Sequence, residues 1–158
     1  MSSRDIKDLT PAMQVFFQKF KNEMDKAKIS FAVTCTARTV KEQQALYAQG
    51  RQKLSEVNAL RKMAGLAPIT AEENKRKVTW TLASKHIVDL DDNNPDNNLS
   101  RAFDIVITKN KKATWDIKVD VNDNQKPDYI EAGEIGESVG LKWGGRFSSP
   151  DYSHFELA

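Results

Sequence analysis

Phe103-Asp-Ile-Val-Ile-Thr108 is an apolar segment rich in β-branched residues, and it predicts a strand. One residue departs from the pattern, because Asp104 places a carboxylate between two apolar neighbours. A carboxylate buried alone is costly, and a bound cation would compensate for its charge. The segment therefore predicts both a strand and a polar site built on it.

The segments on either side of this strand predict helices first and strands later. Further strands are predicted at residues 31–37, at 78–82 and, as an edge or a central strand, at 154–157. Helices are predicted from Thr10-Pro11, from the capping box Thr39-Val-Lys-Glu42 to Gly50, over 52–64, from the capping box Thr70-Ala-Glu-Glu73, and over Glu131 to Val139. The predicted class is α+β, a small, mostly antiparallel sheet flanked by helices in one catalytic domain, residues 1–158. The three tryptophans, Trp80, Trp115 and Trp143, are predicted to lie in the core.

The composition is that of a soluble globular domain, with 39% apolar residues, 29% charged residues and a mean hydropathy of −0.60. No stretch approaches the roughly 18 apolar residues of a membrane span. The N-terminus lacks the apolar segment of a secretory signal, which predicts synthesis in the cytoplasm. The single cysteine, Cys35, excludes an internal disulfide and a cysteine-rich zinc ribbon.

Charge is divided unevenly along the chain. Residues 1–90 carry 16 Lys and Arg against 9 Asp and Glu, whereas residues 91–158 carry 8 against 13. One interpretation is an ordinary solvated surface; the other is a basic half that holds an anionic substrate and an acidic half that holds cations. No groove-reading motif accompanies the basic Lys75-Arg-Lys77, so nucleic-acid binding is not predicted.

The two histidines and Asp104 are candidate metal ligands. His86 follows a predicted strand in Ser84-Lys-His86, and His154 begins another in Asp151-Tyr-Ser-His154-Phe-Glu156. Two imidazoles and one carboxylate would make a three-ligand zinc site with an open position for water. The alternative is a pair of unrelated surface histidines and an aspartate that caps a turn.

These motifs, in this order, resemble the signature of the D-Ala-D-Ala carboxypeptidase family of zinc peptidases. The signature is Ser84-Lys-His86, then Ser100-Arg-Ala-Phe-Asp104, then the late motif that ends at His154. The branch it resembles most comprises the L-alanyl-D-glutamate peptidases of bacteriophage endolysins, which Thr36 to Arg51 and Leu141-Lys-Trp-Gly-Gly-Arg146-Phe also resemble. The resemblance covers residues 31–158, and it implies the fold of the hedgehog and D-Ala-D-Ala peptidases.

The resemblance also implies roles for particular residues. It makes His86, Asp104 and His154 the zinc ligands, Asp151 the catalytic carboxylate and Arg38 the group that polarises the substrate carbonyl. It implies substrate contacts at Ser84 and Arg146, and Trp143 is expected to line the cleft.

Two departures from the family pattern leave an alternative open. Ser100 replaces the usual glycine, and 18 positions separate His86 from Asp104 where the family usually has seven. The additional residues are acidic, so the carboxylate ligand could instead be one of three aspartates: Asp89, Asp91 or Asp92. Asp104 is favoured because it lies in a strand and in the Ala-x-Asp context, and a long loop between ligands adds little closure entropy.

A second cation site is predicted in the acidic loop that precedes the last helix. Oxygen-bearing side chains occupy the EF-hand positions 1, 3, 5, 9 and 12, at Asp120, Asn122, Asn124, Asp128 and Glu131. Gln125 stands at position 6, where glycine is the rule, and Pro127 is also unusual. The alternative is an acidic turn that only caps the helix. A similar segment from Asp89 lacks the final glutamate.

The predicted function is a zinc peptidase that cleaves peptidoglycan stem peptides at the L-Ala–D-Glu bond. Three alternatives remain: a D-Ala-D-Ala carboxypeptidase, a non-catalytic domain that binds zinc or calcium, and a cysteine peptidase using Cys35 and His154. Cys35 lies in the middle of a strand, which favours a buried structural thiol. The resemblance implies a monomer that acts at the cell wall or periplasm of a phage host, which it reaches with a partner such as a holin.

Overall fold

The computed structural model describes residues 2–158. Within them the chain forms four α-helices and seven β-strands. The helices are α1 (Pro11–Lys26), α2 (Val40–Ala48), α3 (Leu54–Met63) and α4 (Asp128–Ser138). The strands are β1 (Phe31–Cys35), β2 (Arg38–Thr39), β3 (Ile87–Val88), β4 (Ala102–Lys109), β5 (Lys112–Thr114), β6 (Leu141–Trp143) and β7 (His154–Leu157).

Five strands form the main sheet in the order β1-β4-β7-β6, and β5 pairs with β4 as a hairpin. Every pairing in this sheet is antiparallel, whereas β2 and β3 form a separate two-stranded parallel sheet. The predicted α+β class and mostly antiparallel sheet are therefore confirmed. The last strand of the chain, β7, lies inside the sheet between β4 and β6.

Helix α1 packs one apolar face against the sheet. The Thr10 hydroxyl accepts a hydrogen bond from the Met13 N–H at 3.2 Å and caps the helix, as its sequence predicts. The Phe20 ring centroid lies 4.8 Å from that of Phe155 and 5.4 Å from that of Phe103. Such aromatic pairs contribute about 0.5–1.5 kcal/mol each beyond their burial. This contact holds α1 on β4 and β7, the two strands that carry the site described below.

Both predicted capping boxes form. The Thr39 hydroxyl accepts the Glu42 N–H at 3.2 Å at the start of α2, and the Thr70 hydroxyl accepts the Glu73 N–H at 3.2 Å. The second box is followed by only one 3-10 turn, Glu73–Lys75. None of the helices within residues 2–158 is long and apolar enough to cross a lipid bilayer.

The strand predicted at residues 78–82 is wrong. This segment is irregular and lies outside both sheets, and the side chains of Val78, Trp80 and Leu82 are more than half exposed. Within the segment the side chains of Val78, Trp80, Thr81 and Leu82 are exposed, and only Thr79 is half-buried, against Gln43 of α2. The predicted core position of Trp80 is therefore also wrong, as is that of Trp115, which is 61% exposed, whereas Trp143 is buried.

Helix α4 begins three residues before its predicted start. Pro127, with an extended backbone, precedes the first helical residue, Asp128, and Glu131 lies in the first turn instead of at the start. Proline fixes its own backbone in a conformation suited to a helix boundary. The acidic loop is consequently shorter than predicted, and its last two candidate ligands lie on the helix.

Candidate active site

Three candidate ligand atoms meet at one point. The Nε2 atom of His86 lies 3.1 Å from Oδ1 of Asp104 and 3.2 Å from Nδ1 of His154. The third separation, between Nδ1 of His154 and Oδ1 of Asp104, is 2.9 Å. Both imidazoles are buried, and the Asp104 side chain is 15% exposed. The three side chains therefore form one compact cluster with a polar opening.

The sheet register explains why these residues meet. In the β4–β7 pairing Asp104 lies opposite His154, and in the β1–β4 pairing Cys35 lies opposite Asp104. His86 comes from the turn before β3, where its carbonyl accepts the Arg38 N–H at 2.8 Å. Residues far apart in sequence are thus brought together by strand pairing and by the small β2–β3 sheet.

Acceptors outside the cluster orient both rings. The Thr36 carbonyl lies 2.7 Å from Nδ1 of His86, and a carbonyl can only accept, so the proton sits on Nδ1. On the far side of His154, Nε2 lies 3.9 Å from the Glu156 carboxylate, which also lies 3.9 Å from Nζ of Lys85. A ligating histidine commonly directs its other ring nitrogen to such an acceptor. In this arrangement the two inner nitrogens face the cluster, where they donate to Asp104 when protonated and offer lone pairs to a cation when deprotonated.

Asp104 stabilises the protonated form of both histidines. Burial lowers the pKa of His86, but the charge and hydrogen bond of Asp104 outweigh burial and raise this pKa to about 10. Burial likewise lowers the pKa of His154, but its hydrogen bond to Asp104 and the nearby Glu156 carboxylate outweigh burial and raise this pKa to about 9. Although burial raises the pKa of Asp104, the two histidines hold it well below its usual range. A site that stabilises protons this strongly also attracts a metal cation.

A zinc ion fits this set of donor atoms. Tetrahedral zinc binds imidazole nitrogen and carboxylate oxygen at about 2.0–2.2 Å, which places its ligand atoms roughly 3.3 Å apart. The three observed separations, 2.9, 3.1 and 3.2 Å, are close to that value. Three protein donors leave a fourth position for water or substrate, which is typical of catalytic zinc sites.

The cluster lies at the base of a cavity of about 630 Å³. Asp151 is an exposed residue of the cavity wall, and its carboxylate lies with ligand atoms of Asp104 and His154 within 4.8 Å of one another. The Ser153 hydroxyl donates to Oδ1 of Asp151 at 3.0 Å. A carboxylate that is solvated yet next to the ligands is suited to exchanging protons with water and substrate.

Gly144 permits the close approach of the Asp151 loop. The Gly144 carbonyl accepts the Asp151 N–H at 2.9 Å, and a Cβ added at Gly144 would lie 2.5 Å from the Asp151 carbonyl oxygen. That Cβ would also lie 2.9 Å from the Cβ of His154. Glycine is therefore required at position 144, because any side chain there would collide with the loop that carries Asp151.

Arg38 also reaches the cavity. Its Nη2 lies 3.6 Å from Oδ2 of Asp104, the oxygen not directed at the histidines, and its Nη1 donates to Oε1 of Gln43 at 3.2 Å. Its Nε is buried and has no hydrogen-bond partner within residues 2–158. The guanidinium thus borders the ligand cluster and retains an unused buried donor.

The three candidate substrate contacts occupy different places. Ser84 lines the cavity, and its hydroxyl accepts the His86 N–H at 3.2 Å. Trp143 is buried, donates from its indole to the Tyr152 carbonyl at 2.9 Å, and is not part of the cavity wall. Arg146 is also outside the wall, where it pairs with Glu137 at 3.0 Å. Ser84 is therefore the one of these three that the fold places in the cleft.

The acidic insertion keeps its hydrogen bonds local. The Asp89 carboxylate accepts the Asp91 N–H at 3.1 Å, and the Asp92 carboxylate accepts from Asn94 and Asn97. These contacts stabilise the loop of residues 89–99. Asp104, by contrast, contacts both histidines directly, so the geometry favours it as the carboxylate ligand.

Cys35 lies behind the cluster instead of in the cleft. It is 4% exposed, and its sulfur is 3.7 Å from Nδ1 of His86, the nitrogen that faces the Thr36 carbonyl. Cys35, His86 and Asp104 also offer ligand atoms within 4.8 Å of one another, which makes a second arrangement that could hold a metal.

Because Cys35 is buried behind His86 and outside the cavity, we expect that treatment with iodoacetamide leaves peptide cleavage unchanged. A zinc chelator should abolish activity, and added zinc should restore it. Both treatments are scored by peptide cleavage with the native protein. Loss of activity on alkylation, in protein shown by mass spectrometry to carry one added carbamidomethyl group, would favour the cysteine mechanism instead.

Glu156 and Gly144 were not assigned roles from the sequence. Glu156 could have been found, because residues two apart on a strand share a face and His154-Phe-Glu156 is predicted to be a strand. Gly144 had no comparable signal, since the need for glycine arises from a contact between β6 and the Asp151 loop.

Comparison with known proteins bears on this cavity. A sequence model of the D-alanyl-D-alanine carboxypeptidase family matches residues 97–157, which contain Asp104, Asp151 and His154. Over this segment the chain is similar to that family. His86 and Arg38 lie outside the matched segment. The fold, and not the sequence match, places these two residues next to it.

Two further proteins are similar to this chain. Over 152 residues the chain is 26% identical to the peptidoglycan L-alanyl-D-glutamate endopeptidase CwlK of Bacillus subtilis (strain 168), an alignment covering 95% of this chain and 74% of CwlK. The L-Ala D-Glu endopeptidase ChiX of Serratia marcescens has the same fold, with a TM-score of 0.56 and 13% identity. That superposition covers 100% of this chain and 89% of the ChiX chain.

Proposed function

We propose that this chain is a zinc-dependent endopeptidase that cleaves the L-Ala–D-Glu bond of peptidoglycan stem peptides. The observation that carries the proposal is the convergence of His86, Asp104 and His154 beside Asp151 in one open cavity. The relatives named as L-alanyl-D-glutamate endopeptidases support the choice of bond. The proposed enzyme is a single catalytic domain that acts as a monomer at the bacterial cell wall, in a phage host.

The residues of the cavity divide the chemistry among them. Bound zinc would supply Lewis acidity, which in such sites lowers the pKa of a water molecule to about 7. Asp151 accepts the proton of the attacking water and returns it to the leaving amine nitrogen as the peptide C–N bond breaks. Arg38 presents a guanidinium to the carbonyl oxygen, where negative charge develops. Ser84 contacts the substrate backbone from the cavity wall, and Trp143 and Arg146 support the wall from outside it.

The test is mass spectrometry of purified peptidoglycan after digestion with the zinc-loaded protein. We expect new N-terminal D-Glu on the released peptides. Release of free D-Ala would instead identify a D-Ala-D-Ala carboxypeptidase that uses the same cluster. If no new chain ends appear with folded, zinc-loaded protein, the domain binds its metal without catalysis.

We also propose that the loop from Asp120 to Glu131 binds calcium as a second, non-catalytic cofactor. Oδ1 and Oδ2 of Asp120 accept the N–H groups of Asn124 at 3.1 Å and Gln125 at 2.9 Å. Gln125 adopts a positive φ of 70°, the conformation for which an EF-hand loop uses glycine at this position. The backbone is therefore folded around the first ligand position despite the missing glycine.

Buried oxygen atoms supply the independent support for calcium. Asp128 is fully buried, and its Oδ1 has no hydrogen-bond partner among the residues described. Burial raises the pKa of Asp128, and the negative charges of Asp120 and Glu131 act in the same direction. A buried Oδ1 of Asn122 also lacks a partner within residues 2–158. A hard cation that prefers oxygen ligands would bind these unpaired oxygen atoms. It would also offset the repulsion among the carboxylates.

Calcium should therefore stabilise the zinc-saturated protein. At a calcium concentration about 100 times its Kd, linkage contributes about 2.7 kcal/mol, which corresponds to a melting temperature roughly 5–10 °C higher for a chain of this size. We expect Glu131→Gln to remove this shift and Asp89→Asn, in the other acidic loop, to retain it. The measurement is calorimetry at fixed zinc with increasing calcium, and an unchanged melting temperature would exclude the site.

A further inference from the structure

An exposed aromatic and basic surface adjoins the catalytic cavity. The segment 78–82 is tied to α2 by two hydrogen bonds: Nε2 of Gln43 donates to the Thr79 hydroxyl at 3.2 Å and to the Thr81 carbonyl at 2.7 Å. The side chains of Val78 and Trp80, on either side of Thr79, are 54% and 59% exposed. Val78, Thr79, Trp80 and Thr81 all line the catalytic cavity. Large apolar side chains held outward on an anchored segment commonly mark a binding surface.

A second cavity continues this surface away from the cluster. Its volume is about 640 Å³, and Val78 lines both cavities. The exposed Trp115 lies in its wall with three cationic residues: Arg61, Arg76 and Lys77. Glu73 is the one acidic residue in the wall, and its carboxylate accepts hydrogen bonds from Thr70. The second cavity therefore combines a free indole face with an excess of positive charge.

Cations also surround the indole at the boundary between the cavities. The Lys77 ammonium lies 5.6 Å from the Trp80 ring centroid, and the Arg51 guanidinium lies 5.8 Å from it. The same guanidinium stacks on Tyr47 at 3.8 Å and donates to the Thr79 carbonyl at 3.0 Å. Trp80 and Trp115 thus stand at two points of one continuous surface on which cationic side chains outnumber the carboxylate of Glu73.

We propose that this surface binds a second, uncleaved segment of the same peptidoglycan strand whose stem peptide lies in the catalytic cavity. The proposal rests on the proposed function, which makes peptidoglycan the substrate. Indole faces offer large, rigid, amphipathic contact area for sugar rings, and the Arg and Lys side chains match the carboxylates of neighbouring stem peptides. Both bound segments belong to one polymer. Binding of one segment to this surface therefore raises the effective concentration of the stem peptide at the catalytic cavity, without any new catalytic contact. The surface gives a preference for polymeric over short substrates.

The test compares two substrates and two surface variants in zinc-loaded, full-length protein. One substrate is a short soluble stem peptide, and the other is purified sacculi. We expect Trp115→Ala and Arg76→Glu to lower kcat/KM on sacculi by about tenfold and to leave cleavage of the short peptide unchanged. Lys19→Glu, an equal change of charge at an exposed position of α1, should affect neither substrate.

Co-sedimentation with sacculi separates this proposal from the proposed function. With Asp151→Asn as an uncleaving background, Trp115→Ala and Arg76→Glu should reduce the bound fraction, and Lys19→Glu should not. This binding is measurable even if the wild-type chain cuts no L-Ala–D-Glu bond, so a failed peptidase assay leaves the surface testable. Equal effects on both substrates, or sedimentation unchanged by either variant, would overturn the proposal.

Discussion

Asp151→Ala abolishes peptide cleavage while the protein keeps its zinc. We expect a loss of about 10²–10⁴-fold in kcat, because the variant lacks the group that accepts and returns the proton. The carboxylate is exposed, and the three ligand atoms contact one another without it. Its removal should therefore leave the metal content and the melting temperature close to those of the wild-type protein.

Two further variants sharpen this experiment. Ser153→Ala removes the hydroxyl that donates to Asp151 at 3.0 Å, so it should shift the pH profile of kcat and retain most activity. Asp96→Asn, which alters an exposed carboxylate in the insertion, should behave as wild type. Normal cleavage by Asp151→Ala, with zinc present, would rule out Asp151 as the catalytic carboxylate.

His154→Ala loses both zinc and activity. The residue supplies one of three donors, and in a three-ligand site the remaining two cannot hold zinc at neutral pH with comparable affinity. Zinc content, measured by elemental analysis after dialysis, should fall from about one ion per chain to near zero. Circular dichroism then shows whether the metal-free variant keeps the fold.

Cys35→Ser is the matched control for the zinc ligands. Cys35 belongs to the second arrangement that could hold a metal, on the opposite side of His86. We expect this variant to keep its zinc, and Glu156→Gln, which weakens the acceptor behind His154, to lower zinc affinity by about 10–100-fold. Zinc lost in Cys35→Ser and retained in His154→Ala would place the ion behind the ring instead of in the cavity.

Local sequence signals were sufficient for much of the fold. The apolar spacing and cap of α1, the capping box of α2 and the β-branched residues of β4 each encode their element through nearest neighbours. The motif order around the histidines was also enough to predict the similarity to this family over residues 97–157, because that chemistry requires particular residue types. The strand prediction for residues 78–82 was wrong because the alternation of side-chain types is a local signal. Whether such a segment is buried depends on whether another strand pairs with it.

Tertiary structure was needed wherever residues distant in sequence had to be placed together. The sequence left Asp104 and three other aspartates as alternatives; the antiparallel register of β4 and β7 places Asp104 opposite His154. The requirement for glycine at position 144, the buried position of Cys35 behind His86 and the basic surface beside the cavity likewise arise from contacts between separate elements. Propensity and capping act over a few residues along the chain, whereas a site of this kind depends on strand register and packing, which no local pattern specifies.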